Sequence, residues 1–107
     1  MGGGRSKSGE ANVSLPKGKS QINHIFDDRA GHLTNTPRNR ETLLGVANDP
    51  AYYIGKDENG VDWFAKTNSD GSQTWVRVLK GVIRDGGQNE TPRPWDNITG
   101  LNNNPKK

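Results

Sequence analysis

The first half of the chain carries hydrophobic residues at helical spacing. Ile22, Ile25 and Phe26 recur as on one face of a helix, which predicts a short helix over residues 21–28. The polar, glycine-containing residues 29–35 predict a loop. The chain therefore starts its patterned region with a short amphipathic helix.

A second helix is predicted after this loop. Thr36 is a favourable N-cap, and Pro37 fits the first helical position, where the missing N–H costs nothing. The helix runs to about Asn48, because Asn, Asp and Pro at positions 48–50 end it. Its buried stripe is predicted to contain Leu43, Leu44 and Ala47.

From residue 51 onward the hydrophobic period changes to two, which predicts strands. Turn residues separate the strands, and Asn59-Gly60 favours the type I′ geometry of tight hairpins. Residues from Gly86 on have turn chemistry and no clear period. The predicted strands are 51–56, 61–67, 73–79 and a short fourth strand, 82–84.

Helices followed by an antiparallel meander predict an α+β fold, with one or two N-terminal helices packed on a four-stranded antiparallel sheet. In the third strand Val76 and Val78 face one way and meet the second helix. Trp75 and Arg77 then lie on the open face, an aromatic ring beside a cation. That pair is either an RNA-binding surface or a Trp that covers a small sheet.

The ends differ in composition from the centre. Residues 1–19 are rich in Gly, Ser, Lys and Asn and predict a linker or flexible arm. One domain is predicted over 20–101, followed by a polar tail at 102–107. Trp95 and Leu101 indicate that the end of the domain docks on the sheet, since a solvated tail rarely keeps such residues.

Composition excludes several kinds of chemistry. The 107 residues contain no Cys, which rules out disulfides, zinc–thiolate sites and thiol nucleophiles. No apolar run approaches the ~20 residues that span a bilayer, and the first residues lack the apolar segment of a signal peptide. There is no P-loop, dinucleotide fingerprint or Gly-x-Ser-x-Gly elbow.

The net charge of +3 is carried mainly by the ends of the chain. Residues 21–85 contain eight basic and nine acidic side chains, so the centre of the domain is nearly neutral. Basicity therefore supports an anionic partner only weakly.

Two histidines, His24 and His32, are the natural proton-transfer groups at neutral pH. Eight residues apart across a glycine-containing loop, they can converge on one cleft, or either can be a surface or capping residue. With Asp27 or Asp28 they could also hold a metal ion, although the spacing matches no standard metal motif.

Chemistry without a cofactor points to RNA, because RNA supplies its own nucleophile in the 2′-hydroxyl. Cleavage then needs a base, an acid and groups that hold the charged phosphorane. Two histidines, several arginines and a hydroxyl donor such as Thr91 provide this set.

Several motifs resemble one class of bacterial proteins, the C-terminal toxin domains of contact-dependent inhibition and Rhs-type polymorphic toxins. The resemblance covers about residues 20–101. The motifs are Ile22-Asn-His-Ile-Phe, Gly31-His-Leu-Thr-Asn-Thr-Pro-Arg-Asn-Arg, Asp49-Pro50, the Gly-x-Asp-x-x-Gly-x-x-Trp of Gly55 to Trp63, Asp70-Gly71-x-Gln-x-Trp75, Gly86-Gly-Gln-Asn-Glu-Thr-Pro-Arg-Pro-Trp and Thr99-Gly100-Leu101.

More distantly, the order of elements is similar to the barnase/EndoU/colicin/RelE group, and to the colicin D tRNase in particular. This resemblance implies a metal-independent endoribonuclease, often a tRNase, delivered into a rival bacterium and blocked by a cognate immunity protein. It implies a catalytic His24. The Lys that precedes this His in colicin D is Asn23 here, so Arg29, Arg77 or Arg84 must supply the charge for phosphate.

The resulting hypothesis is a monomeric RNase toxin domain without cofactor, released or displayed as part of a larger protein and active in the target cytoplasm. Rival hypotheses are a non-catalytic protein- or glycan-binding module anchored on Trp63, Trp75 and Trp95, and a metal-dependent DNase. The predicted catalytic residues are His24, His32, Arg77 and Thr91, and the predicted RNA-binding residues are Arg29, Arg84, Trp75, Asn89 and Arg93.

Overall fold

The computed structural model describes residues 13–27 and 31–101. Two helices precede a four-stranded antiparallel sheet of order β1-β2-β3-β4, which confirms the predicted α+β class. The elements are α1 (Lys19–Ile25), α2 (Pro37–Ala47), a 3₁₀ turn (Pro50–Tyr52), β1 (Tyr53–Lys56), β2 (Asp62–Thr67), β3 (Gln73–Leu79) and β4 (Val82–Asn89).

The start of α2 follows the predicted chemistry. Thr36 Oγ1 accepts a hydrogen bond of 3.1 Å from the backbone N–H of Asn39, and Pro37 occupies the first helical position. Leu43 and Ala47 are buried as predicted, whereas Leu44 is only half-buried and Val46 takes its place in the core. The helix therefore turns a slightly different stripe toward the sheet than its spacing predicted.

The tight connection predicted at Lys80-Gly81 joins β3 to β4, and this turn, rather than Asn59-Gly60, has type I′ geometry. Lys80 and Gly81 both have positive φ (54° and 79°), as a type I′ turn requires. In the turn before β2 only Gly60 has positive φ, and its N–H donates to the Asp57 carbonyl (3.1 Å). The Asn59-Gly60 prediction of type I′ geometry was therefore wrong.

The fourth strand is longer than predicted, because Gly86 and Gly87 continue β4 instead of forming a turn. Gly86 pairs with Val76 and Gly87 with Trp75. A Cβ on Gly86 would press against Leu43, and one on Gly87 would collide with the carbonyl oxygen of Gly31. These glycines allow close approach of neighbouring segments, which composition does not distinguish from a turn.

The helices cover one side of the sheet, called here the helix face. Its buried core joins α1, α2, β3 and β4. Residues 13–15, placed in the predicted linker, also contact this core and bond the edge of β4, where Ser14 N–H donates to the Gly81 carbonyl. The core residues are Ile25, Phe26, Leu43, Val46, Ala47, Val76, Val78 and Ile83.

The other side of the sheet, called here the tryptophan face, is not open as predicted. Trp63 and Trp75 are buried there together with Leu101, and Trp95 packs against them. A Cβ on Gly100 would collide with the Trp63 indole, so the chain passes directly over that ring. The predicted docking of Trp95 and Leu101 explains why the face is closed.

Several predictions fall on residues that the structure does not describe, namely 1–12, 28–30 and 102–107. They are the roles of Asp28 and Arg29, most of the predicted arm and the predicted polar tail. Among the residues described, no helix has the length and apolar character needed to cross a bilayer.

Candidate active site

One buried carboxylate, that of Asp85, lies among three groups that can carry positive charge. Asp85 Oδ2 is 3.6 Å from His24 Nε2 and 4.0 Å from Arg77 Nη2. Asp85 Oδ1 is 3.6 Å from His32 Nδ1. Elements far apart in sequence, α1, the 31–35 loop, β3 and β4, thus bring two histidines and an arginine to one point.

A β-bulge in β4 aims Asp85 at this point. Val78 pairs with Ile83 and Arg77 with Asp85, so Arg84 is an extra residue in β4. In a regular strand, without the bulge, Asp85 would lie two residues after Ile83 on the same face, and Ile83 is buried in the helix-face core. The bulge moves Asp85 to the other face, opposite Arg77, as bulges next to functional sites do.

His32 is held rigidly by its loop. The Gly31 carbonyl accepts a 3.0 Å hydrogen bond from the N–H of Gln88, and the absent side chain of Gly87 lets the loop lie directly on β4. His32 Nδ1 lies 3.0 Å from the Ile25 carbonyl, and its ring meets the edge of Trp75 at 5.9 Å. Because a carbonyl only accepts, this bond requires a proton on Nδ1 and leaves Nε2 as the lone-pair nitrogen of the neutral ring.

His24 is the accessible histidine of the pair. Its side chain is 57% exposed, against 10% for His32, and the two ring centroids are 6.5 Å apart. His24 opens into a cavity of about 240 Å³ that also contains Arg77 and Arg84. The remaining lining residues are Ser20, Gln21 and Ile83.

Arg77 packs on the Trp63 ring of the tryptophan face. Its guanidinium carbon lies 5.6 Å from the centre of the Trp63 ring, within the range of a cation–π contact. Trp63 is fully buried, and its Nε1–H donates to Asp57 Oδ2 at 2.9 Å. Within the described residues, the buried Nε of Arg77 has no hydrogen-bond partner.

Asp57 supports this arrangement as a charged group. Burial alone would raise the pKa of Asp57, but hydrogen bonds from Trp63 Nε1 and from the backbone N–H groups of Val61 and Asn59 outweigh it. The positive charge of Arg77 acts in the same direction, so the pKa of Asp57 lies below its usual value. The charged Asp57 therefore holds the Trp63 indole in place by a hydrogen bond, and this indole contacts Arg77.

The structure brings together only part of the predicted site. His24, His32 and Arg77 surround Asp85, and Arg84 lines the same cavity. Trp75 is buried beneath His32, where its ring is not free to stack on a base. The other predicted residues, Asn89, Thr91 and Arg93, line a separate cavity at the end of β4.

Sequence reasoning missed Asp85. An acidic residue beside two glycines near the end of the chain gave no hydrophobic or motif signal. Asp85 pairs across the strands with Arg77, so a correct prediction of the β3–β4 register would have identified it. That register depends on the bulge at Arg84.

No family model matches the chain, and neither the curated proteins nor the solved structures contain a significant match to it. The resemblance to polymorphic toxin domains thus rests on the sequence motifs alone. In the part of the chain that the structure describes, no three His, Asp or Glu side chains are grouped so as to hold a metal ion.

Proposed function

We propose that this chain is a metal-independent endoribonuclease domain whose active centre is the group His24, His32, Arg77 and Asp85. The observation that carries the proposal is the convergence of both histidines and Arg77 within 4.0 Å of one carboxylate, beside an open cavity. These are the groups needed to move protons and to hold a phosphate without a cofactor.

The reaction follows from the chemistry of RNA. The 2′-hydroxyl oxygen attacks the adjacent phosphorus while a base removes its proton, and the bond from phosphorus to the 5′-oxygen breaks as an acid protonates that oxygen. The products are a 2′,3′-cyclic phosphate and a 5′-hydroxyl. Each proton transfer contributes roughly 10²–10⁴ in rate.

The accessible His24 is the first proton-transfer group, because it lines the cavity that an RNA backbone can enter. His32, with its proton on Nδ1 held by the Ile25 carbonyl, offers Nε2 as the second. Arg77 and Arg84 on the cavity wall hold the phosphate. The Asp85 carboxylate, 3.6 Å from a nitrogen of each ring, offsets the positive charge that forms as a ring accepts a proton.

The biological setting is proposed from the sequence resemblance. It comprises delivery into competing bacteria as part of a larger toxin, action in the target cytoplasm on RNA, tRNA in particular, and neutralisation by a cognate immunity protein. The rival of a tryptophan-anchored binding module loses support, because Trp63 and Trp75 are buried in the core.

Incubation of the purified chain with total RNA and with plasmid DNA, each with and without EDTA, tests the proposal. Wild-type protein should cut RNA in EDTA. His24→Ala should lower the rate by roughly 10²–10⁴. Asn23→Ala, at an exposed position on the same helix outside the cavity lining, is the matched control and should retain full activity.

Two results would favour other functions. DNA nicking that EDTA abolishes would identify a metal-dependent DNase. Folded protein that cuts neither substrate would favour a non-catalytic binding module over a nuclease.

A further inference from the structure

A second polar cavity lies beside the proposed active centre, at the end of β4. Its volume is about 420 Å³, within the ~300–1,000 Å³ of small-molecule sites. One of its lining residues, Gly31, directly precedes His32 of the proposed active centre. The lining residues are Gly31, Gln88, Asn89, Glu90, Thr91 and Arg93.

The orientation of the Asn89 amide follows from its partners. The backbone N–H of Arg93 donates to Gln73 Oε1 at 3.1 Å, which identifies that atom as the oxygen. Asn89 Nδ2 donates to the same oxygen at 2.9 Å. Asn89 is buried and its Oδ1 receives no hydrogen bond from the described residues, so it is left as an acceptor for a ligand.

The Gln88 amide is oriented in the same way. Ser72 Oγ donates its proton to Asp70 Oδ1 at 2.6 Å and therefore accepts from Gln88 Nε2 at 3.2 Å. Gln88 Oε1, the other end of the amide, takes no part in these two hydrogen bonds. Gln88 and Asn89 pair with Thr74 and Gln73 on opposite faces of the sheet, so their oriented amide oxygens belong to the two sides of the β4 edge that the cavity follows.

The charges in the cavity disfavour a phosphate. The charges of Glu90 and Arg93 cancel one another, and each oriented amide has an oxygen that accepts no hydrogen bond from the described residues, while its NH₂ already donates one. A neutral, flat ligand that bears N–H donors satisfies these acceptors, and the Arg93 guanidinium and Thr91 hydroxyl can serve its carbonyl or ring nitrogen. Unstacked nucleobases have this donor and acceptor pattern on their edges.

We propose that this cavity is a nucleobase subsite that selects a base with an exocyclic amino group. The assignment rests on the proposed function, because it seats a base next to the phosphate held by Arg77 and Arg84. It gives Asn89, Thr91 and Arg93 roles in base selection rather than in holding the phosphorane.

Nucleotide titrations of the ¹⁵N-labelled chain test this subsite without any cleavage. Guanosine and inosine monophosphate differ only in the 2-amino group of the purine, and cytidine monophosphate carries a 4-amino group where uridine monophosphate carries a 4-carbonyl. The amino-bearing member of each pair should bind about ten-fold more tightly, as one hydrogen bond to a charged or amide acceptor supplies. The side-chain NH₂ signals of Gln88 and Asn89 should shift on binding.

A pair of isosteric variants tests the contribution of the carboxylate. Glu90→Gln should reduce the preference for the amino-bearing nucleotides, because an amide NH₂ replaces one acceptor oxygen. Glu58→Gln makes the same change at an exposed position outside the cavity and should leave the preference intact.

Equal affinity within both nucleotide pairs, or binding that leaves the Gln88 and Asn89 signals unmoved, would overturn the subsite. Such a result would not affect the proposed function, which the RNA cleavage assay tests separately. Conversely, selective nucleotide binding by a chain that cuts no RNA would remove the nuclease proposal and leave the cavity as a nucleotide site.

Discussion

The two faces of the sheet are built from different kinds of sequence information. The helix face joins aliphatic side chains whose spacing along the chain already marks them as one side of a helix or strand. The tryptophan face joins single residues from β2, β3 and the 93–101 segment, with the histidines at its border. The helix face follows from the periodicity of hydrophobic residues along the chain. The tryptophan face forms only when segments that are far apart in sequence come together.

The two faces also differ in what they can do. The helix-face core is closed and aliphatic, so it contributes stability. The tryptophan face carries Asp57, Arg77 and Asp85, whose charges are held by indole rings and hydrogen bonds next to a cavity. Substitutions in the helix-face core should therefore change stability alone. Substitutions of the charged groups on the tryptophan face should change activity or, at Asp57, which holds a buried indole, the pH dependence of stability.

Among the substitutions that compare the two faces, the largest expected effect is the loss of activity at Arg77. Arg77→Ala removes the cation that lies on Trp63 and that we propose to hold the phosphate, so the cleavage rate should fall by roughly 10²–10³. Cleavage rate per folded molecule, with folding checked by circular dichroism, measures this. An unchanged rate would remove Arg77 from the site and weaken the distinction between the faces.

Leu43→Ala is the counterpart on the helix face. Leu43 is fully buried against Gly86, and its truncation should lower the free energy of unfolding by about 2–5 kcal/mol. Urea denaturation measures the loss, and cleavage per folded molecule should be retained. Thr42→Ala, on the exposed side of the same helix, should cost about 0.5 kcal/mol or less. A Leu43 variant that is stable but inactive would contradict the assignment of stability to the helix face and of activity to the tryptophan face.

Asp57→Ala should give a smaller, pH-dependent loss of about 2 kcal/mol, because it leaves the buried Trp63 N–H unpaired. The pKa of Asp57 is lowered in the folded state, so the charged carboxylate stabilises the protein above its unfolded pKa of about 3.9. That contribution is lost as the pH falls through the lowered folded-state pKa. The difference in unfolding free energy between wild type and variant should thus be full at pH 7 and shrink below about pH 4.

The control for this prediction is Glu58→Ala, in the same turn but exposed. Its urea denaturation should show neither the loss nor the pH dependence. A difference for Asp57→Ala that stays constant from pH 7 to pH 3 would show that the charge of Asp57 does not contribute.

Most of the fold could be predicted from the sequence, because its signals are local. The cap at Thr36 and Pro37 predicts where α2 begins, and alternation over 73–79 gives the bounds of β3. The length of β4 could not be predicted, since Gly86 and Gly87 have the composition of a turn. Only the approach of Leu43 and Gly31 explains why glycine is present there.

The candidate site was predicted in its residue types and in the approach of its two histidines, but not in the rest of its geometry. His24 and His32 stand out because they are the chain's two histidines, and Arg77 because of its place in a strand. Asp85 depends on a one-residue bulge, and the closure of the tryptophan face depends on a turn-rich segment that folds back. Neither feature leaves a periodic trace in the sequence.

The chemical nature of the RNA ends produced in EDTA tests the central claim most directly. Mass spectrometry of the fragments should show 2′,3′-cyclic phosphates paired with 5′-hydroxyls, because the proposed centre activates the 2′-hydroxyl of the RNA itself. Fragments that carry 3′-hydroxyls and 5′-phosphates would show that water is the nucleophile and would contradict the account.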